Sequence, residues 1–401
     1  MKHTFLTAFF LATFTPLHAA DPFPPLDVSL LDPTTFAERI GSTPESLVQG
    51  DAETVRLGPK AVVWCQQSKP HWKGTTYGAG REAGVRHLRI GFTQTLPVGS
   101  VLVGGGGSLS VLKTNAAYPG DLADDSQWLP AQRLVNGAES TAEIAAGDYG
   151  LWVLPPGTST RALRFSHTPA AGDRESAIQL AGVWLLPDRL GNVAPQALVQ
   201  SRARDDVSMK LVDESHNRTW QAWENAEDGA PLPVSAEHPE IVTLTWPKPV
   251  KLRGVCLLWA GFAACKIDAF TGADDANVRE APEASWVRVG SGSDLQTWYP
   301  SQLGPNWVPL DREVSTRALR LRITAPSIGG HSHLDGKFKE GRRVWLGELM
   351  ALVPLREATL TSLILPKTNE EPPPIPVKFT LPEAGLVTLV IDDKAGRRVR
   401  N

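Results

Sequence analysis

The residues with the most obvious chemical potential form the run His331-Ser-His333-Leu-Asp335-Gly336. Two closely spaced imidazoles and a carboxylate are the donors that hold Zn²⁺ and activate water in metallo-hydrolases. The site is not completed, because Gly336 stands where a further histidine is wanted and no histidine follows His333. A solvated loop is the plainer reading of this segment. Gly104-Gly-Gly-Gly107-Ser108 lacks the Lys-Ser/Thr pair that grips phosphates and does not open a helix, so it is expected to be a corner between strands. No Gly-x-Ser-x-Gly elbow occurs. The acid pairs Asp124-Asp125 and Asp274-Asp275 sit in loop-like stretches where solvated turns are the rule. No catalytic residue is therefore assigned, and the chain is expected not to be an enzyme.

Binding is better represented. Thirteen tryptophans stand against four tyrosines, and an indole offers a flat apolar face to the C–H side of a sugar ring. Trp152, Trp184, Trp246, Trp259 and Trp345 lie in strand-like apolar runs and are expected in the core. The ligand-facing candidates are those in loops: Trp72, Tyr77, Trp223, Trp298, Tyr299 and Trp307.

The elements that must position these residues are short. With 35 Gly and 33 Pro through 401 residues, long helices are interrupted almost everywhere, which favours strands and turns. Leu319, Leu321 and Ile323 alternate with Arg320 and Arg322, the pattern of a strand with one buried face. Helices are expected only at about 35–40 and 195–204. The N-terminus carries Lys2, an apolar stretch over 5–14 and small residues at Ala19-Ala20, the layout of a signal peptide, so an exported location is expected: extracellular, cell-surface or periplasmic. That stretch is shorter than the ~20 residues that span a bilayer, and nothing comparable follows, so no membrane insertion is expected after cleavage. A net charge of −3 gives no footprint for nucleic acid. Cys65, Cys256 and Cys265 are too few for a disulfide scaffold; Cys256 and Cys265 either pair across a hairpin or, as their apolar surroundings favour, stay buried thiols.

A repeat organises the chain. Ser159-Thr-Arg-Ala-Leu-Arg-Phe165 returns as Ser315-Thr-Arg-Ala-Leu-Arg-Leu321, with six identities in seven. Trp128 and Trp286, and the segments opening at Leu96 and Leu252, fall at nearly the same offset. Shared order and spacing mark a duplicated domain of short strands, for which a β-sandwich is the expected fold. Gly182 in the first copy aligns with Glu348 in the second, and the loop around 331–343 is an insertion in the second copy. Past Pro354 the composition shifts to the stiff run Glu370-Glu-Pro-Pro-Pro-Ile-Pro376, and two further strands follow. Two strands do not make a stable domain, so the chain is expected to stop inside a third one.

The second copy resembles the discoidin-like (coagulation factor type C) group of galactose-binding-like β-sandwiches. The residues that carry the resemblance are Asp213-Glu-Ser-His-Asn217-Arg-Thr219-Trp220, the pair of apolar stretches over 242–246 and 252–255, and the closing Trp345-Leu-Gly-Glu348-Leu. The tail from Ile375 is similar to the Ig-like domain of hook-capping and sorting-tail proteins. The resemblance implies an all-β chain of two tandem antiparallel jelly-roll sandwiches plus an incomplete Ig-like segment. The boundaries are a signal peptide at 1–20, a lead-in at 21–54, a divergent first sandwich at 55–192, a second at 193–356, a Pro-rich linker at 357–375 and the Ig-like start at 376–401. It further implies a glycan or cell-surface polymer as partner, and a structural Ca²⁺ held by Asp213, Asn217, Thr219 and Glu348. Oxygen ligands of this kind suit a hard cation. Glu214 departs from the glycine the family prefers, and the alternative that Asp213 and Thr219 merely cap a turn stays open.

Overall fold

The computed structural model describes residues 30–41, 46–49, 55–56, 64–65, 75–78, 82–135, 138–145, 148–215, 219–222, 224–225, 229–273, 276–295, 305–327, 343–365, 391–392 and 398–400. The chain divides into one large unit, Met1–Pro366, and a small one, Lys367–Asn401. The His331–Asp335 run and most of the tail lie outside the described residues. Of the small unit, only the ladder between Ile391–Asp392 and Arg398–Arg400 is described.

The large unit is built from antiparallel sheets. Its first half uses β1 (Leu31–Ile40), β2 (Leu47–Gln49), β3 (Thr75–Tyr77), β4 (Arg86–Pro97), β5 (Ser100–Gly105), β6 (Ser108–Leu112), β7 (Trp128–Pro130), β8 (Tyr149–Val153), β9 (Ser159–His167) and β10 (Ile178–Leu186). One sheet runs β2-β1-β4-β9-β6-β7 and the other β8-β5-β10-β3. Leu88, Ile90 and Phe165 from the first sheet and Val101, Trp152 and Val183 from the second enclose a common core. Alternation places these residues inward along each strand.

The second half uses β11 (Leu190–Asn192), β12 (Leu198–Ser201), β13 (Trp220–Ala222), β14 (Glu240–Leu258), β15 (Phe262–Phe270), β16 (Trp286–Gly292), β17 (Pro305–Pro326), β18 (Val344–Leu346) and β19 (Glu348–Pro354). The order β11-β19-β14-β17-β15-β16, with β12 also on β14, repeats the first half. The start of β14 plays the part of β4 and its end the part of β5, so one long strand joins both layers. Register breaks between Thr245 and Val250 and between Leu252 and Gly254 bend it between those roles.

The repeated sequence has the same structural use in both halves. Thr160 Oγ1 donates to the Leu112 carbonyl, and Thr316 Oγ1 to the Phe270 carbonyl, both at 2.9 Å. The Arg164 guanidinium lies 5.0 Å from the Trp128 ring centre, and that of Arg320 lies 4.5 Å from Trp286. Each arginine also pairs with a carboxylate at 2.8 Å, Asp125 for the first and Glu283 for the second. The motif thus pins the outer face of the sheet, where a buried cation must find partners.

Four sequence expectations change here. Residues 35–40 are strand, not helix: Ala37 pairs with Arg89 and Arg39 with His87. Residues 194–196 form a 3₁₀ turn and 198–201 a strand against β14. Pairing with partners distant in sequence overrides local helix preference at both places. The lead-in is consequently not separate, since β1 belongs to the first sheet and the boundary at 55 falls inside that sandwich. The expected linker also begins too early, because Leu360 and Leu363 are buried in the second core and Gln196 holds the chain by accepting from Leu365 N at 2.8 Å. Cys256 and Cys265 are separate buried thiols.

The two halves are fused. Leu102, Leu151 and Trp184 of the first pack with Cys256, Trp307 and Leu352 of the second in one apolar cluster. This shared cluster makes the pair one body within the large unit.

Candidate functional site

Glu348 opens the closing strand β19 opposite Leu258, and its side chain is wholly buried. Its Oε2 accepts from the Tyr149 hydroxyl and from the Glu214 backbone N–H, each at 3.1 Å. Its Oε1 has no hydrogen-bond partner. The loop that reaches it follows a 3₁₀ turn at Asp205–Leu211 and is shaped by an Asx-type bond in which Asp213 Oδ1 accepts from Ser215 N at 3.1 Å. Glu214 takes φ +55, the left-handed region that a glycine adopts without strain, which accounts for the glycine the resemblance expects there.

The first half closes the other side. Tyr149 N donates to the Glu214 carbonyl at 3.3 Å, and Asp148 bridges Ser215. The Arg133 guanidinium stands 3.4 Å from Glu214 Oε2 and is the counter-charge nearest to hand. Burial pushes the Glu348 carboxyl far above the ordinary range, and the charges of Glu214 and Asp213 add to this. Burial likewise lifts Glu214 to about 7, with Arg133 opposing and Asp148 and Asp213 reinforcing. The pocket therefore holds more carboxylate than cation, with one buried oxygen unserved. A hard cation coordinated by oxygen is what such a donor set fits. Among the described residues no group of three acid, histidine or cysteine side chains is already arranged around a single metal point, so carbonyl oxygens would have to complete the shell.

Of the sequence-assigned ligands, the structure brings Asp213 into electrostatic reach of Glu348. Asn217 lies outside the described residues. Thr219 Oγ1 accepts from Gln221 Nε2 at 3.5 Å and makes no hydrogen bond to the acid cluster. Sequence reasoning missed Tyr149, Arg133 and Asp148, because nothing in a sequence announces a contact across the junction of two repeats.

Two of the aromatic candidates are corrected. Tyr77 is 5 % exposed and meets Phe36 edge-on at 5.8 Å, and Trp307 is 9 % exposed within the junction of the two halves. Neither offers a face to a ligand. Trp72, Trp223, Trp298 and Tyr299 lie outside the described residues. Trp259, expected in the core, is partly exposed and carries φ +50. A left-handed conformation costs a non-glycine residue about 1–2 kcal/mol.

One further constellation has the order of a nucleophilic relay. His167 Nε2 lies 2.5 Å from Ser176 Oγ, and its Nδ1 lies 2.5 Å from Glu143 Oε2. Glu143 Oε1 accepts from Thr168 N at 2.7 Å. The Ser176 amide, which could serve an oxyanion, is committed to Asp173 Oδ1 at 3.0 Å. These bonds fasten the 168–177 loop to the end of β9.

No family model matches this sequence, and no curated protein does. Among solved structures it is similar to a selenomethionine-labelled mutant of chitosan-binding module 1 from the chitosanase/glucanase of Paenibacillus sp. IK-5, at 13 % identity over 40 % of this chain and 97 % of that one, with TM-score 0.28. The family 32 carbohydrate-binding module of Clostridium perfringens NanJ, in complex with galactose, aligns at 10 % identity over 41 % of this chain and 98 % of that one, with TM-score 0.27. The CBM32-1 and CBM32-2 domains of C. perfringens ZmpB, in complex with GalNAc, align at 8 % identity over 82 % of this chain and 91 % of that one, with TM-score 0.27.

Proposed function

We propose that this chain is an exported, non-catalytic binding protein whose two discoidin-like modules, joined as one body, recognise glycan or another cell-surface polymer. The observation that carries the reading is the meeting of Glu348 with the 213–215 loop: the Glu214 N–H donates to Glu348 Oε2 at 3.1 Å. Two segments more than 130 residues apart, named by the same sequence resemblance, join at one loop entrance. A structural Ca²⁺ belongs to the same proposal. Asp213, Glu348 and loop carbonyls would hold it, and it would neutralise the excess of carboxylate. Tyr149 and the Glu214 amide hold Glu348 through its Oε2 and leave its Oε1 unserved. The tail is read as the start of an Ig-like domain.

A spacer without any ligand is the second reading, favoured by the burial of Tyr77 and Trp307. Screening the full chain on a glycan array that includes galactose, N-acetylgalactosamine and chito-oligosaccharides separates the two. Saturable retention of a defined sugar is the expected result, and no retention by folded protein would favour the spacer.

A further inference from the structure

The acid pocket of the second half takes its counter-charge from the first half. Arg133 opens a short ladder in which Arg133–Val135 pairs with Ala138–Ser140. The backbone beside it is tied to the edge strand β8, where Gln132 N donates to the Val153 carbonyl at 3.0 Å and Val153 N to the Gln132 carbonyl at 2.6 Å. From this fixed base the side chain, only 12 % exposed, lies over the Trp152 ring at 5.5 Å from its centre and meets Glu214 across the junction. A cation held in so little water keeps most of its field, because salt screens buried charges much less than exposed ones.

The bonding of this guanidinium is thin. Nη1 donates to Glu214 Oε2 at 3.4 Å, Nη2 donates to the Glu143 carbonyl at 3.3 Å, and the buried Nε has no partner. Arg320 shows the contrast: all three of its nitrogens donate to carboxylates, at 2.8 to 3.2 Å. Arg133 therefore serves the pocket more as a charge than as a fork of hydrogen bonds. Glu214 carries that charge inward, since its carboxylate faces Arg133 while its N–H donates to Glu348 Oε2 at 3.1 Å. The charge of Asp148 acts on both Arg133 and Glu214, and that of Asp213 on both Glu214 and Glu348. Four carboxyl groups thus share one field with a single opposing guanidinium among the described residues.

We propose that Arg133 is the internal counter-cation of this pocket, through which the first half sets how tightly the second half binds Ca²⁺. This rests on the cation site proposed above and adds its regulation. In the empty protein the guanidinium offsets part of the carboxylate charge, and when a divalent cation enters, the like charge opposes it. Removing the guanidinium therefore destabilises the empty protein and tightens the bound cation. A side chain that only packed against Trp152 would act the other way on binding, because its loss would loosen the pocket.

The test titrates Ca²⁺ calorimetrically into the full-length wild type and three variants, each first stripped by chelator, and reads their melting temperatures without Ca²⁺. Arg133→Lys keeps the charge, Arg133→Gln removes it, and Arg133→Met removes it while keeping a thioether against the Trp152 ring. The two neutral variants are expected to bind Ca²⁺ at least about threefold more tightly than the wild type and to melt lower when empty, with Arg133→Lys within about twofold of the wild-type affinity. Folded neutral variants that bind Ca²⁺ as the wild type does, or more weakly, overturn the role of Arg133 and leave the cation site standing. Absence of Ca²⁺ binding by the folded wild type and by every variant overturns both. If neither neutral variant folds without metal, millimolar Ca²⁺ is expected to restore folding by replacing the lost charge, and failure to restore it overturns the proposal.

Discussion

The two halves of the large unit are copies in strand order and differ at a few chemically loaded positions. Where the first half has Ser110 opposite Arg164, the second has Asp268 opposite Arg320. Where the first closes on Gly182, the second closes on Glu348. The shared residues hold the sheets, while the unshared Asp268 and Glu348 add buried carboxylates to the second half. The two halves thus share one strand order and differ in the charge placed on it.

The arginine pair gives the largest contrast. Asp268 is 3 % exposed and accepts from Arg320 at 2.9 Å, whereas the carboxylate partner of Arg164 is the exposed Asp125. Arg320→Ala leaves the buried Asp268 with Arg288 alone, whose Nε donates to its Oδ1 at 2.6 Å, and is expected to lower stability by about 2–3 kcal/mol. Arg164→Ala loses its hydrogen bonds, its contact with the Trp128 ring and an ion pair to the exposed Asp125, and about 1–2 kcal/mol is expected. Urea midpoints of the two variants check this, and equal losses would break the comparison.

The halves also differ in how they respond to pH. Burial and the nearby Arg164 hold His87 down to about 4, and burial with the charge of Glu224 lifts Glu240 to about 7. A depressed histidine binds fewer protons folded than unfolded, so its contribution is present above the unfolded value of 6.5 and is lost as pH falls towards 4. A raised carboxyl behaves oppositely: its contribution is present below 4.5 and is lost as pH rises through 7. Each effect is on the order of 1–2 kcal/mol after screening by solvent. Thermal unfolding against pH should therefore show a shallower acid-side slope in His87→Gln and a shallower neutral-side slope in Glu240→Gln, with Glu214 carrying the neutral-side slope that remains. Profiles unchanged by either substitution would contradict these environments.

The smallest expected effect concerns Ser176. With its amide bound to Asp173, it is expected to take up no fluorophosphonate probe, and Ser176→Ala should shift stability by about 1 kcal/mol or less. A stoichiometric adduct at Ser176 would overturn the non-catalytic reading.

The sequence made the architecture legible where the physics is local or repeated. Alternation around Arg320 announced a strand, and the recurrence of Ser-Thr-Arg-Ala-Leu-Arg announced two copies of one sheet. The resemblance also named Asp213 and Glu348, which the fold brings into each other's field. Features set by distant partners stayed hidden. Thr35–Ile40 carries a helix-like pattern, and only its pairing with β4 makes it a strand. Trp307 looked like a loop aromatic because the surface that buries it belongs to the other repeat. Trp259 looked like core because a left-handed backbone leaves no mark on a sequence unless the residue is glycine.

The acid cluster is proposed as a cation site in the second half alone. The most direct measurement is thermal unfolding of the full chain with Ca²⁺ and with chelator, for wild type and for Glu348→Gln. A ligand that binds only the folded state at about a hundred times its dissociation constant adds about 2.7 kcal/mol, so the wild-type melting temperature should rise by several degrees with Ca²⁺. Glu348→Gln should not respond. A folded wild type that melts at the same temperature with Ca²⁺ and with chelator would contradict the account.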